Sequence, residues 1–364
     1  MSAVTLILFL LGLVLLLVGA ELLVRGASRL AALVGISPLV IGLTVVAFGT
    51  SSPELAVSVQ GAWSGAADVS LGNVLGSNVF NVLFVLGVSA LAAPLVVAQQ
   101  LVRVEVPLMI GATAAVLLMA LDGSIGRIDG AILAAGVLSY VVYAVRKSRK
   151  ETQAVKEEYA EYEERPKGAL GILAQLLFIV VGLAMLVLGS RWLVSGAVEI
   201  ATALGLSERV IALTLVAAGT SLPEVATSVM ASLRGERDIA VGNAIGSNLF
   251  NLLAVLGLSS LVSPAGIAAS AGAVQFDLPV ALAVAVACLP VFFRSYMISR
   301  WEGGLFFAYY IVYVTYLLLR TAEHRLLEPF TFGMLFFVLP LTAITLVVVA
   351  WRGWRLRSRA GAPA

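Results

Sequence analysis

The chain has 364 residues, 60% of them hydrophobic and only 12% charged, with a mean hydropathy of +1.04. Soluble domains carry about 25% charged residues, so this balance specifies an integral membrane protein. A net charge of +2 gives no ground for nucleic-acid binding, and the single cysteine, Cys288, excludes an intramolecular disulfide and any cysteine-built metal site.

Apolar runs long enough to cross a bilayer fall at 3–24, 38–62, 70–94, 103–121 and 127–145. A second set falls at 170–192, 208–232, 240–263, 275–294 and 302–320, and one more follows at 327–351. Residues 3–24 are too long and too uniformly apolar for a cleaved leader and lack a basic n-region, so they read as a retained span. Between the two sets lies 146–168, a polar linker whose Glu157, Glu158, Glu161, Glu163 and Glu164 are interspersed with Lys and Arg, as on a solvated face. The expected organisation is a five-helix unit over 1–145, the charged linker 146–168, a second five-helix unit over 169–322, and an extra transmembrane helix with a basic tail over 323–364. The fold class is all-α and polytopic.

The two units are copies. Residues 49–81 read GTSSPELAVSVQGAWSGAADVSLGNVLGSNVFN, and 170 positions later 219–251 read GTSLPEVATSVMASLRGERDIAVGNAIGSNLFN. Seventeen of the 33 aligned positions are identical without a gap, which marks an internal duplication. Packing alone would have kept Leu and Val; the positions kept are polar or backbone-breaking. Weaker echoes pair Gly26-Ala27 with Gly196-Ala197, and Glu105 and Pro107 with Asp277 and Pro279.

Placing the N-terminus outside puts 18 Lys and Arg on the inner side, including the linker and the C-terminal tail, and 5 on the outer side. Because each copy has an odd number of spans, the second enters from the opposite face, so the repeats are inverted, as in secondary transporters. All five Trp (63, 192, 301, 351 and 354) lie near span ends, as an interfacial belt requires.

Glu54 and Glu224 are the acids expected deep inside spans, where a carboxylate must face a cavity or a cation. Pro53 and Pro223 stand one residue before them; each lacks an N–H and crowds the carbonyl four residues back, at Gly49 or Gly219. The helix should break there, which membranes tolerate where the broken span lines a cavity. Thr50 and Glu54, four apart, share a helix face, and Asn73, Ser77 and Asn81 form a polar stripe that recurs at Asn243, Ser247 and Asn251. Of these, Ser77, Asn81, Ser247 and Asn251 are expected to line the cavity, with Asn73, Asn78, Asn243 and Asn248 joining helices. All the donors are hard oxygens, and the lone His324 sits at a span end. Such a set suits Ca²⁺, with its 6–8 oxygen ligands, and also Na⁺, and argues against Zn²⁺ or Cu⁺. Two glutamates balance one Ca²⁺, two Na⁺ or two protons.

The paired motifs GTSSPE with GNVLGSNVFN, and GTSLPE with GNAIGSNLFN, resemble the two α-repeats of the sodium/calcium exchanger family within the cation/calcium exchanger superfamily, over residues 1 to about 320. The resemblance implies ten helices in two inverted halves, with the second and third helix of each forming the ion site and the first and sixth sliding as the gate. By matching position it implies the ligands Glu54, Glu224, Thr50, Thr220, Ser51, Ser221, Ser77, Ser247, Asn81 and Asn251, with the carbonyls of Ala47 and Ala217. Asn at both 81 and 251, where the potassium-dependent branch carries Asp, speaks against a potassium requirement. The proton/calcium branch has a different acidic motif in the place of GNVLGSN, which favours Na⁺ over H⁺. The eleventh span exceeds the family core, and the linker is too short for the regulatory Ca²⁺-binding domains of animal relatives.

The expected function is secondary exchange of Na⁺ for Ca²⁺ across the plasma membrane, with a H⁺-coupled Ca²⁺ or Mn²⁺ exchanger as the nearest rival and a passive cation channel as a rival from another class. No enzymatic residues, cofactor, P-loop, nucleic acid or obligate protein partner are expected; the partners are Ca²⁺, Na⁺ and the lipid bilayer. Short loops suggest a prokaryotic inner membrane, with linker and C-terminus cytoplasmic.

Overall fold

The computed structural model describes residues 3–65, 67–150, 169–204, 211, 215, 217–342 and 344. Among these, eight helices are long and apolar enough to cross a membrane, and a bent pair makes a ninth span. The linker from 151, most of 205–216 and the end of the expected eleventh span lie outside the described residues.

Helix α1 covers Ala3–Val34. It runs ten residues past the expected span 3–24, and near the end of that span Glu21 pairs with Arg25 four residues on, and also with Arg234. Ser37 then caps a new helix by accepting the Val40 N–H, and Pro38 at its first position needs no donor. This helix, α2 (Pro38–Thr50), is followed by α3 (Ser52–Trp63) after a bend of 47°. The break falls at Ser51, φ −79° and ψ 5°, two residues before Pro53, as the proline chemistry requires.

The first unit continues with α4 (Val69–Ala92), α5 (Leu101–Asp122) and α6 (Arg127–Lys150). The second has α7 (Ala169–Ala203), a short turn Ala217–Gly219, α8 (Leu222–Leu233), α9 (Arg237–Val262), α10 (Ala273–Phe293) and α11 (Arg300–Thr321). Ser299 and Glu302 form a capping box that starts α11. The expected span at 327–351 begins as α12, Leu327–Thr342.

Two-residue strands were not expected in an all-helical chain, yet four are present among the described residues. β1 (Leu95–Val96) pairs antiparallel with β4 (Met297–Ile298), and β2 (Ser124–Ile125) with β3 (Ile267–Ala268). Each ladder ties a loop of one unit to a loop of the other.

α4 and α9 form the centre: 78% and 83% of their most apolar stretch is buried, against 17–39% in the other long spans, which therefore present side chains outward. α1 and α7 pack along each other on a glycine seam. Glycines recur every seven residues in both, at 12, 19 and 26 and at 182, 189 and 196. A Cβ on Gly19 would lie 2.8 Å from the Gly182 carbonyl oxygen, and one on Gly182 would lie 2.8 Å from the Gly19 oxygen. Only hydrogen fits between these backbones, as in small-residue membrane interfaces.

Candidate functional site

The duplicated motifs meet at the centre of the bundle. The bend after Thr50 and its counterpart after Thr220 bring Ser51 and Ser221 (φ −94°, ψ 9°) to the heads of α3 and α8. Both glutamates lie in the first turn that follows, fully buried.

Each half supplies a hydroxyl to the carboxylate of the other. Ser221 Oγ donates to Glu54 Oε1 at 2.7 Å and contacts Ser77 Oγ at 3.2 Å. Ser51 Oγ donates to Glu224 Oε1 at 3.2 Å, and Ser247 Oγ reaches the same oxygen at 3.5 Å. Thr50 Oγ1 donates to Asn243 Oδ1 at 3.0 Å, so it turns to α9 and away from Glu54. The Ala47 carbonyl accepts from the Ser51 N–H at 3.0 Å and from the Thr50 hydroxyl at 3.4 Å. Ala217 opens the turn before the second break.

Asparagines hold the frame. Asn73 Nδ2 donates to Ser58 Oγ at 2.9 Å and to the Glu54 carbonyl at 3.3 Å; Asn243 Nδ2 does the same with Ser228 at 3.0 Å and Glu224 at 3.4 Å. These bonds fasten α3 to α4 and α8 to α9 beside each glutamate. Asn81 and Asn251 each open a π-helical turn, Asn81–Val85 and Asn251–Val255, a local widening frequent at functional sites.

Five oxygens of the expected set are buried with no donor: Glu54 Oε2, Glu224 Oε2, Asn81 Oδ1, Asn251 Oδ1 and Thr220 Oγ1. Buried acceptors are nearly always satisfied, and an unpaired carboxylate oxygen is the costliest case. Hard oxygens left without a donor are groups that a cation would satisfy. Two carboxylates with neutral hydroxyl and amide oxygens fit a hard cation of the Ca²⁺ or Na⁺ class.

Ser58 and Ser228 were not singled out from the sequence, although they recur at the same 170-residue offset. Ser190 of α7 was also missed; its Oγ donates to the Gly219 carbonyl at 2.5 Å, the carbonyl that Pro223 leaves without a helical N–H. Its counterpart is Ala20, so the repeat carried no signal. Glu54 and Glu224 are not the only acids buried in spans. Glu105, in the first turns of α5, is fully buried and accepts from Gln100 Nε2 at 2.6 Å; its place at a span edge hid it.

Comparison with known proteins bears on the family and the fold. The family model described as sodium/calcium exchanger protein matches residues 4–146 and 174–319. CaxA of Alkalimonas amylolytica is 41% identical over 288 residues, covering 78% of this chain and 89% of CaxA. Sodium/calcium exchanger MaX1 of Methanosarcina acetivorans is 30% identical over 351 residues, 87% of this chain and 99% of MaX1. Among solved structures, the sodium-calcium exchanger NCX_Mj soaked with zero Na⁺ and Ca²⁺ superposes with a TM-score of 0.75 at 31% identity, covering 87% of this chain and all of that one. With a family match across both repeats, and relatives that run the length of the shared core, this chain belongs to the sodium/calcium exchanger family.

Proposed function

We propose that the chain exchanges Na⁺ for Ca²⁺ across the plasma membrane by alternating access, holding the ions on Glu54, Glu224, Thr50, Thr220, Ser51, Ser221, Ser77, Ser247, Asn81, Asn251 and the carbonyls of Ala47 and Ala217. The observation that carries this reading is the set of five donorless buried oxygens on α3, α4, α8, α9 and at the second break. Two carboxylates match one Ca²⁺ or two Na⁺ in charge, so the same site loads one kind of cation or the other, and competition couples the two fluxes. The Na⁺ and Ca²⁺ in the names of MaX1 and NCX_Mj support the choice of ions.

The inverted arrangement is supported by the ladders. β1 follows the third span of its unit, whereas β4 follows the fourth span of the other. Loops that follow the third and fourth span of two parallel units would lie at opposite ends; their pairing calls for units of opposite sense. In the proposed cycle the α1/α7 pair moves as the gate, with the N-terminus outside and the linker inside as the basic residues require.

The test is Ca²⁺ uptake into proteoliposomes preloaded with Na⁺, compared with vesicles without a Na⁺ gradient and with vesicles under an imposed pH gradient. The expected result is uptake that requires internal Na⁺. Uptake driven by the pH gradient alone would move the counter-ion to H⁺, and uptake that runs without any counter-ion would make the protein a channel.

A further inference from the structure

We propose that Asn78 and Asn248 are positioning residues: they hold the amides of Asn81 and Asn251 so that the carbonyl oxygens, and not the NH₂ groups, face the transported cation. The inference rests on the cation site proposed above and adds what sets its ligand geometry.

The four asparagines stand where α4 and α9 meet, and all are buried. Asn78 Nδ2 donates to the main-chain carbonyl of Asn248 at 3.3 Å, and Asn248 Nδ2 returns the bond to the carbonyl of Asn78 at 3.3 Å. Asn248 Nδ2 also points at the Met109 sulfur at 3.4 Å. Each of these amides is thus anchored by its NH₂ to the opposite helix backbone, which leaves its Oδ1 turned the other way. Asn248 Oδ1 accepts from Asn81 Nδ2 at 3.1 Å, and Asn78 Oδ1 accepts from Asn251 Nδ2 at 3.1 Å.

An asparagine amide has one accepting end and one donating end. Once its NH₂ is engaged, only the oxygen remains to be presented. In both halves that remaining oxygen, Asn81 Oδ1 or Asn251 Oδ1, is buried and without a donor. Turned over, either amide would aim a positive NH₂ dipole at the cation and lose a ligand. A carboxylate at the same place would need no such control, because both of its ends are oxygen. Asn78 and Asn248 therefore solve a problem created by having neutral amides as ligands.

The test is a double-mutant cycle read as Ca²⁺ affinity by calorimetry on the purified full chain, with thermal unfolding to verify the fold. Asn248→Ala is expected to weaken Ca²⁺ binding about 10-fold in the native background, as an orientation worth about 1.4 kcal/mol would. In the Asn81→Asp background, where orientation no longer matters, the same substitution is expected to cost less than about 2-fold. Equal costs in the two backgrounds, or no cost in the native one, would make Asn248 a helix contact only and overturn the inference. The mirrored cycle, Asn78→Ala against Asn251→Asp, decides the question in the same way should Asn248→Ala not fold. Asn81→Ala with native Ca²⁺ affinity would overturn the site itself; Asn81→Ala that binds weakly beside a silent Asn248→Ala would overturn the positioning role alone.

Discussion

α3 and α8 derive from the same duplicated stretch, carry their glutamates at the same place, and yet stand in different surroundings. α1 lies along α8 and covers it, while among the described residues α3 has no comparable long neighbour from the α1/α7 pair. Val57 on α3 is 40% exposed; its counterpart Thr227 on α8 is fully buried. The cover over α8 is fastened by residues that were not duplicated. Glu21 of α1 pairs with Arg234 just past α8, and Ser28 Oγ donates to Glu236 at 2.8 Å. The mirror positions of Glu21, Arg234 and Glu236 are Arg191, Ser64 and Ala66, which cannot repeat those bonds. Symmetric candidate site residues thus sit inside an asymmetric enclosure. Under the proposed cycle, such an enclosure would let one site be covered on one face and open on the other.

The comparison breaks most severely at the ligands. Glu54→Gln and Glu224→Gln are each expected to abolish Ca²⁺ transport. A unit charge pair 4 Å apart at an effective dielectric near 20 is worth about 4 kcal/mol, roughly a thousandfold in affinity and more for a divalent ion. Ca²⁺ binding and flux for both variants check this; a variant with near-native affinity would show that the two carboxylates do not share one ion. Next in size is the seam of the cover itself. Gly182→Val places a side chain 2.8 Å from the Gly19 carbonyl oxygen and the Leu23 nitrogen. Overpacking of this kind costs about 1–3 kcal/mol, read as a lower unfolding temperature with impaired transport. Gly111→Ala, where a Cβ meets nothing within 4 Å, is the matched control and should be silent. Smaller again is Ser190→Ala, which takes the hydroxyl from the Gly219 carbonyl in the covered arm. A loss of about 1 kcal/mol is expected, about five-fold in Ca²⁺ affinity, and an unchanged titration would leave that bond without a role at the site.

What the sequence disclosed follows the same division. Residues that do the same work in both halves left a signal twice, so Glu54 and Glu224, the proline breaks and the Ser and Asn stripe were legible from the 170-residue echo. Composition and period gave the spans, because a membrane helix must be apolar along its length. The ends of α1 and α7 were not legible: the apolar runs stop at 24 and 192, whereas the helices continue to Val34 and Ala203. Asn78 and Asn248 join α4 to α9 as their place in the motif leads one to expect, but a one-dimensional stripe does not say which end of each amide is engaged. Ser190 and the Glu21–Arg234 contact were hidden because asymmetric features leave no echo. The short β ladders escaped because two residues carry no period.

The smallest expected effect tests whether the fastening of α8 matters. Arg234→Gln removes the partner of Glu21 across the gap but leaves Arg25 in place, so no carboxylate is stranded, which makes it a cleaner probe than Glu21→Gln. The side chain of Arg234 is 46% exposed, so the pair is worth at most about 1 kcal/mol. Loss of a bond present only while α1 covers α8 favours the state with α8 uncovered, by up to about five-fold in population. A cysteine placed at position 227, buried on α8, reports that population through its rate of reaction with a membrane-impermeant thiol reagent; the native Cys288 is buried and does not compete. Labelling should quicken in Arg234→Gln, and about 1 M salt should quicken the unsubstituted arginine protein to nearly the same rate, since an exposed pair is screened at that ionic strength. If neither change moves the labelling rate, apolar packing of α1 alone holds the cover, and the difference between α3 and α8 owes nothing to these charges.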